Sequence, residues 1–186
     1  MSRTLEREIK LPFTGVDEAR AAVLGAGATP LRGRRLQEDY LLDTDDERLR
    51  QQRCVLRIRV ESGRGFVTFK GPVETSVMKL REELETSVGD GELLLTLFDQ
   101  LGFHVWFRYQ KYREEFSCED VTVAVDETPV GTFVEIEGSE PGIIAMAAAL
   151  SRTPADYVTD SYRGLFLRHC QAQGLPHTDM LFEEIA

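Results

Sequence analysis

Apolar and charged residues alternate along many short segments of this chain, and that repeat limits the folds open to it. The segment Leu5–Leu11 is mainly apolar at its odd positions and charged at its even ones. A repeat of two is typical of a β-strand with one apolar and one polar face. The same alternation predicts seven further strands, at 36–42, 54–60, 66–70, 78–85, 104–116, 121–126 and 132–137.

Helical segments separate and follow these strands. Thr14 resembles a hydroxyl cap for a first helix, and Asp90–Leu101, Pro141–Leu150 and Asp156–Gln173 predict three more. No linker or change of composition marks a domain boundary, so we expect one domain over residues 1–174 and a poorly specified tail at 175–186. The predicted fold class is α+β: a single antiparallel β-barrel or strongly curved sheet with flanking helices.

The polar faces of the predicted strands carry almost only Glu, Asp, Arg and Lys. A solvated outer face explains such a pattern on any one strand, but it explains a recurrence on seven strands less well. The acidic members are Glu6, Glu8, Glu83, Glu85, Asp126, Glu135 and Glu137, and the basic members are Lys10, Arg57, Arg59, Lys70, Arg81, Lys111 and Arg113.

This balanced set could line a closed, water-filled barrel whose apolar outer faces are covered by the helices. Arg and Lys bind phosphate oxygens, and carboxylates hold Mg²⁺ or Mn²⁺ ions that bridge those oxygens. We therefore expect a nucleotide or polyphosphate, bound together with divalent metal ions, as the ligand. A purely structural barrel with internal ion pairs remains an alternative, although such pairs cost desolvation energy without a ligand.

Composition narrows the range of partners. The net charge of −10, from 32 acidic and 22 basic residues, argues against a general nucleic-acid binder. The basic cluster Arg32-Gly-Arg34-Arg35 is assigned to a turn, and Trp106 to an outer face beneath a helix. No apolar run predicts a signal peptide or a transmembrane helix, and three widely spaced cysteines fit a reducing compartment. We expect a cytoplasmic monomer or homodimer without a membrane partner.

The segment Glu6-Arg-Glu8-Ile-Lys10 resembles the ExExK motif of the CYTH superfamily, the triphosphate tunnel metalloenzymes. One such motif occurs by chance in many acidic chains, but an ordered series of further segments is also similar to that family. These are Leu56-Arg-Ile-Arg59, Thr68-Phe-Lys70-Gly-Pro72, Arg81-Glu-Glu83-Leu-Glu85, Lys111-Tyr-Arg113, Val125-Asp126, Gly131–Glu137 and Ser161-Tyr162. The resemblance spans residues 4–170 and implies a closed eight-stranded antiparallel tunnel.

The resemblance also implies a role for each charged position. The phosphate-binding residues would be Lys10, Arg57, Arg59, Lys70, Arg81, Lys111 and Arg113. The metal-binding residues would be Glu6, Glu8, Asp126, Glu135 and Glu137, which together with Lys10 form the expected catalytic set. Of these, Asp126 and Glu135 would serve a second ion or orient water. Glu83 and Glu85 would line the tunnel without an assigned role.

Two reactions suit such a tunnel. Metal-dependent hydrolysis of inorganic tripolyphosphate, thiamine triphosphate or a nucleoside triphosphate is favoured, because it requires no base-specific contacts. The alternative is the class IV adenylyl cyclase reaction from ATP to cyclic AMP and pyrophosphate, since Lys70-Gly-Pro72 and Gly131–Glu137 look most like that branch. Binding of a triphosphate or nucleotide without catalysis is the remaining alternative.

Overall fold

The computed structural model describes residues 4–74 and 76–183. Its strands are β1 (Thr4–Phe13), β2 (Thr29–Asp43), β3 (Val55–Glu61), β4 (Arg64–Lys70), β5 (Lys79–Val88), β6 (His104–Cys118), β7 (Val121–Thr128) and β8 (Gly131–Gly138). They form one closed barrel in the order β1-β5-β4-β3-β2-β6-β7-β8, and every neighbouring pair is antiparallel. The predicted fold class, with its eight-stranded closed barrel, is confirmed.

Helices lie on the outside and at one end of this barrel. They are α1 (Val16–Gly25), α2 (Arg48–Gln51), α3 (Gly91–Gln100), α4 (Glu140–Ala149) and α5 (Tyr162–Gln173), with a 3₁₀ turn at Pro154–Asp156. Asp90, Ser139 and Ser161 cap α3, α4 and α5 by accepting hydrogen bonds from backbone N–H groups of the first turn. None of the helices in the described part of the chain is long and apolar enough to span a membrane.

The largest hydrophobic core lies outside the barrel. Ile9, Val123 and Ile136 point outward from β1, β7 and β8 and are fully buried beneath Val23 of α1 and Ile143 of α4. Burying one such aliphatic side chain stabilises the fold by about 1.5–3 kcal/mol. Because apolar packing on the outer surface supplies this stabilisation, the inner face of the barrel is free to carry charges.

An aromatic cluster and α5 close one end of the barrel. Tyr162 and Phe166 of α5 pack against Phe107, Tyr109 and Phe133, which point inward from β6 and β8. We call this end, where β2 finishes and β3 and β6 begin, the α5 end of the tunnel. Since adjacent strands are antiparallel, the C-terminus of β8 lies toward the opposite end.

Strand β2 is longer than its pattern predicted. The predicted strand began at residue 36, with the arginine cluster in a turn before it, whereas β2 begins at Thr29. The added part pairs with β6 through two register shifts, between Pro30 and Arg32 and between Arg32 and Arg35. Arg35 donates hydrogen bonds from Nε to Glu61 (2.8 Å) and from Nη2 to Glu115 (2.6 Å). The turn assignment was wrong because these cross-strand contacts and bulges cannot be recognised from local sequence.

Two helix starts also differ from the predictions. The last helix was predicted from Asp156, but Asp156 belongs to the 3₁₀ turn, and Val158 makes two backbone hydrogen bonds with Lys10 at 2.9 Å. This added bridge holds the chain extended until Ser161. The cap of α1 is Gly15 rather than Thr14, whose hydroxyl bonds to the Glu18 carboxylate instead.

The C-terminal segment packs along the outside of β6. Met180 is buried and exchanges backbone hydrogen bonds with Arg108 (3.0 Å) and Gln110 (2.9 Å). Phe182 contacts the ring of Tyr112, with 5.2 Å between the ring centroids. The described part of the tail therefore adds one short bridge to the barrel wall.

Candidate active site

The inner face of the barrel surrounds a cavity of about 540 Å³. Its lining contains every charged residue singled out from the sequence except Asp126. Asp126 lies in the same wall, fully buried behind Arg113 and Lys111. The period-two pattern thus identified side chains that closure of the barrel brings to one surface.

Asp126 is the centre of the most enclosed charge network. Its carboxylate accepts hydrogen bonds from Arg113 Nε (2.7 Å) and Nη2 (2.5 Å), Lys111 Nζ (2.9 Å) and the Tyr162 hydroxyl (2.5 Å). Burial opposes its ionisation, but Arg113 and Lys111 outweigh burial and lower the pKa of Asp126 to about 2. Both of its oxygens are therefore engaged in holding cations.

Lys10 joins this network to the ExExK strand. Its ammonium lies 2.9 Å from Glu8 Oε1 and 3.0 Å from Glu135 Oε2, and Arg113 Nη2 donates to Glu135 Oε1 at 2.7 Å. Burial disfavours the charged ammonium, yet the two carboxylates raise the pKa of Lys10 above its usual value. Lys10 is consequently charged throughout the neutral pH range.

A second network surrounds Glu6. Lys70 Nζ lies 2.7 Å from both Glu6 Oε1 and Glu83 Oε2, and Arg81 Nε donates to Glu6 Oε2 at 2.9 Å. Although burial alone would raise the pKa of Glu6, Lys70 and Arg81 bring it well below its usual range. Glu6 is thus an ionised carboxylate between two cations.

The third network contains a residue that the sequence analysis missed. Asp39 is fully buried and accepts a hydrogen bond from Arg59 Nε at 2.9 Å. Arg57 Nη2 contacts Thr68 (3.1 Å) and Glu85 (3.2 Å). Arg57 Nε is 3.5 Å from Asp39 and has no hydrogen-bond partner among the described residues. This buried donor remains available for a ligand oxygen.

Lys79 was also missed, although a parity count along its strand would have found it. It shares the inner face of β5 with Arg81 and Glu83, and its ammonium contacts Glu8 Oε1. Burial lowers the pKa of Lys79 to about 8, while the charge of Glu8 limits the shift. The same parity along β2 places Asp39 on the inner face.

Glu137 differs from the other tunnel carboxylates. It faces Glu8 directly across the β1–β8 pair, and among the described residues it has no hydrogen bond or ion pair. Partial burial in the tunnel wall, followed by the charges of Glu6 and Glu135, raises the pKa of Glu137 to about 7, although the residue is still exposed to solvent. Carboxylates that face each other repel, and the nearby cations Lys10 and Lys79 contact Glu8 rather than Glu137.

The unpaired state of Glu137 predicts a pH dependence for the metal-free protein. Its folded-state pKa of about 7 exceeds the usual value of about 4.5, so the stability that the protonated carboxyl gives is complete below pH 4.5 and is lost as the pH rises through 7. With EDTA present, the melting temperature of the wild type should fall between about pH 5 and pH 7.5. Glu137→Gln should flatten this decrease, and Glu140→Gln, which lies outside the cavity, should not. If the melting temperature of Glu137→Gln depended on pH as that of the wild type does, Glu137 would not be the group with the raised pKa.

Tyr162 connects α5 to the tunnel charges. Its ring lies below two ammonium groups, 5.2 Å from Lys10 Nζ and 4.7 Å from Lys111 Nζ, while its hydroxyl donates to Asp126. The sequence analysis noted Tyr162 only through the family resemblance. Its position depends on the docking of α5, which no local pattern specifies.

Tyr162→Phe should retain the ring contacts and remove the hydrogen bond to Asp126. A hydrogen bond to a charged group contributes about 1.5–3 kcal/mol, so the free energy of unfolding should fall by about that amount in urea titrations. Tyr157→Phe is the matched control, because the Tyr157 hydroxyl has no hydrogen-bond partner among the described residues. Equal effects of the two substitutions would rule out a specific role for the Tyr162 hydroxyl.

Trp106 lies at the tunnel mouth. The sequence analysis placed it on an outer face beneath a helix, and this was wrong: it lines the cavity together with Arg50, Arg53 and Arg163. A register shift between Leu41 and Leu42 of β2, opposite this part of β6, breaks the alternation there. Arg168, the other arginine of α5, pairs with Asp160 at 2.6 Å and does not line the cavity.

Comparisons with known proteins identify the family. A CYTH domain model matches residues 4–150. The chain belongs to the CYTH domain family. A protein of Methanocaldococcus jannaschii, named as an inferred adenylate cyclase, is 36% identical over 107 residues, which is 57% of this chain and 61% of that protein. The match thus spans less than two thirds of that CYTH relative.

Solved structures share the barrel. An inferred adenylate cyclase from Vibrio parahaemolyticus superposes with a TM-score of 0.77 at 19% identity, over 88% of this chain and 98% of its own. A protein from Pyrococcus horikoshii gives 0.71 at 26% identity, over 88% and 99%. An inferred adenylyl cyclase from Hippeastrum, described as having a dominant triphosphatase activity, gives 0.66 at 17% identity, over 92% and 96%. These similarities support the CYTH fold of this chain.

Proposed function

We propose that this protein hydrolyses a triphosphate-containing small molecule in a divalent-metal-dependent reaction inside the tunnel. One observation carries the proposal: Glu137 has no cation partner and faces Glu8 in a wall that continues into a row of Arg and Lys side chains. Such a surface lacks a cation at one place and offers phosphate-binding groups beside it. A metal-bound triphosphate supplies the missing cation to the carboxylates and phosphate oxygens to the Arg and Lys side chains.

Carboxylate chemistry supports a metal site formed by Glu6, Glu8 and Glu137. Oxygen ligands suit Mg²⁺ and Mn²⁺, and a divalent ion would relieve the repulsion around Glu137. No three carboxylates in the described residues are already gathered at ligand spacing. Glu6 and Glu8 would therefore exchange contacts with Lys70 and Lys79 for contacts with the ion. When bound, the ion would polarise a phosphate oxygen and increase the acidity of water.

The basic side chains would bind and orient the phosphates. Arg57 offers a buried Nε without a hydrogen-bond partner in the described chain, and Arg59 and Arg113 are held in place by Asp39 and Asp126. In the proposed reaction, a water oxygen forms a bond to the terminal phosphorus and the bridging P–O bond breaks. Preorganised guanidinium and ammonium groups would stabilise the negative charge that develops on the leaving oxygen.

Asp126 and Glu135 were expected to serve a second metal ion or to orient water. The contacts of Asp126 favour a positioning role, because Arg113, Lys111 and Tyr162 already occupy its oxygens. Glu135 contacts Lys10 and Arg113, and through them it would orient two phosphate-binding groups. A second ion at Glu135 remains a prediction.

Cyclisation of ATP is the second candidate function. The names of the relatives from Methanocaldococcus jannaschii and Vibrio parahaemolyticus favour it, whereas the description of the Hippeastrum protein favours hydrolysis. The tunnel charges serve both reactions, since each depends on orienting a triphosphate and stabilising negative charge. Only the products distinguish them.

An assay of purified protein would test the proposal. Tripolyphosphate, thiamine triphosphate and ATP would each be incubated with Mg²⁺ or Mn²⁺, and orthophosphate, pyrophosphate and cyclic AMP would be followed. Metal-dependent orthophosphate release that disappears in Glu8→Gln is expected. Formation of cyclic AMP and pyrophosphate from ATP would show that the protein is a cyclase rather than a hydrolase. Binding without any product would establish a non-catalytic site, and absence of binding would overturn the proposal.

A further inference from the structure

The α5 end of the tunnel carries a group of arginines that the proposed phosphate site does not use. Arg50, Arg53 and Arg163 line the same cavity as the tunnel charges and surround Trp106. We call these four residues the arginine rim. Arg50 and Arg53 come from the segment between β2 and β3, Trp106 from the start of β6, and Arg163 from the first turn of α5. Three separate parts of the chain thus converge at this mouth.

The rim has an excess of positive charge. Arg53 and Arg163 make no ion pair among the described residues, whereas Arg50 pairs with Asp43 (3.2 Å) and Glu47 (3.0 Å). Asp43 is itself saturated, because the backbone N–H groups of residues 44, 49 and 50 also donate to it. No carboxylate lining the cavity comes from this segment or from α5. The rim therefore contrasts with the tunnel interior, where the guanidinium and ammonium groups have carboxylate partners.

Trp106 stacks against the guanidinium groups of Arg50 and Arg163. The Cζ atoms of Arg50 and Arg163 lie 4.5 and 4.7 Å from its ring centroid, and Arg163 also lies 5.8 Å from the ring of Phe107. Stacking on an aromatic face fixes the plane of a guanidinium and leaves its N–H edge free to donate. Burial and the nearby charge of Arg50 lower the pKa of Arg163, as expected for a cation that lacks an anion.

The arginines of the rim make no ion pair with the carboxylates of the proposed metal site among the described residues. Val55, at the rim, pairs with Lys70, which contacts Glu6, so the two sites occupy neighbouring parts of one cavity. Glu137 lies near the C-terminus of β8, toward the end of the barrel opposite α5. A triphosphate bound by the central cations would leave the arginine rim free for a further group on the same molecule.

We propose that the arginine rim is an additional anion subsite that binds a phosphate group beyond the triphosphate, so that chains of four or more phosphates are preferred ligands. Arg53 and Arg163 donate to this extra phosphate, and Trp106 positions Arg163. This inference rests on the proposed triphosphate site and specifies its substrate class.

Binding measurements with two probes test the subsite. Dissociation constants for inorganic tripolyphosphate and inorganic tetraphosphate would be measured by calorimetry with EDTA present, so that metal-dependent turnover does not interfere. The wild type should bind tetraphosphate about tenfold or more tightly than tripolyphosphate, as expected for one charged hydrogen-bonded group. Arg163→Gln and Arg53→Gln should each reduce that preference and leave tripolyphosphate binding within about twofold.

Arg168→Gln is the matched control, since it removes the same charge from the same helix outside the cavity. It should leave both dissociation constants unchanged, and the melting temperatures of all variants should match the wild type. Equal binding of the two probes by the wild type would overturn the subsite and leave the triphosphate site intact. Dependence of ATP binding on Arg163 without any effect on tetraphosphate would instead assign the rim to a nucleoside. Absence of binding of either probe, also when Mg²⁺ replaces EDTA, would refute the proposed function itself.

Discussion

Replacing Arg113 by alanine is expected to lower the free energy of unfolding by about 3–5 kcal/mol, the usual cost of removing one partner of a buried ion pair. Arg113 donates to both oxygens of Asp126 and to Glu135, all of which are buried. Without the guanidinium, Asp126 would keep only Lys111 and Glu135 only Lys10 as a charged partner, and both carboxylates, whose pKa values are depressed, would stay buried. Urea titration of the metal-free protein would measure the loss.

Arg20→Ala provides a matched control for this prediction. Arg20 pairs with Glu114, the neighbour of Arg113 in β6, but on the outer surface, where ion pairs contribute about 0–1 kcal/mol. The difference between the two variants isolates the cost of unpaired charge inside the tunnel. If Arg113→Ala were no less stable than Arg20→Ala, the buried network would not hold the wall together. An increase in stability would instead mark Arg113 as a strained binding residue.

Glu8→Gln should reduce the rate of triphosphate hydrolysis at saturating substrate by about a hundredfold or more. Loss of groups that merely support a metal ligand costs about 10–100-fold, so loss of a proposed ligand should cost at least as much. Glutamine preserves the shape of the side chain and can still accept a hydrogen bond from Lys10, but it removes the negative charge. The variant should also need a higher Mg²⁺ concentration to reach half of its maximal rate.

The metal dependence distinguishes this effect from a general disturbance of the fold. Glu140→Gln, an exposed position at the start of α4, should leave both the rate and the Mg²⁺ titration unchanged. The melting temperature of Glu8→Gln in EDTA would show whether the fold is retained. Wild-type turnover and an unchanged Mg²⁺ titration in Glu8→Gln would exclude Glu8 from the metal site.

Much of the tunnel lining followed from a single repeat in the sequence. Because strand side chains alternate strictly between faces, Glu6, Glu8 and Lys10 had to share a face, as did Arg57 and Arg59. The outward valines of β7 predicted the covering helices by the same logic. These inferences depended only on local geometry, which the backbone of any strand enforces.

Other parts of the candidate site were not predicted from that repeat. Asp39 and Lys79 obey it but were missed, because Asp39 directly follows another charged residue, Glu38, and Lys79 is the first residue of its strand. Trp106 was misplaced because a register shift interrupts the alternation nearby. The partners of Tyr162 depend on a helix docked against the end of a barrel.

The alternating residues were enough to predict antiparallel strands with one charged face each, and helices that cover the apolar faces. They were enough because hydrophobic burial and strand pleating act residue by residue along the chain. Which charges pair depends on the closed barrel, and so do the lack of ion-pair partners for Glu137 and Arg53 in the described chain and the arginine rim at the α5 end. Those outcomes depend on distances between residues far apart in sequence, and electrostatic energies vary with such distances and with burial.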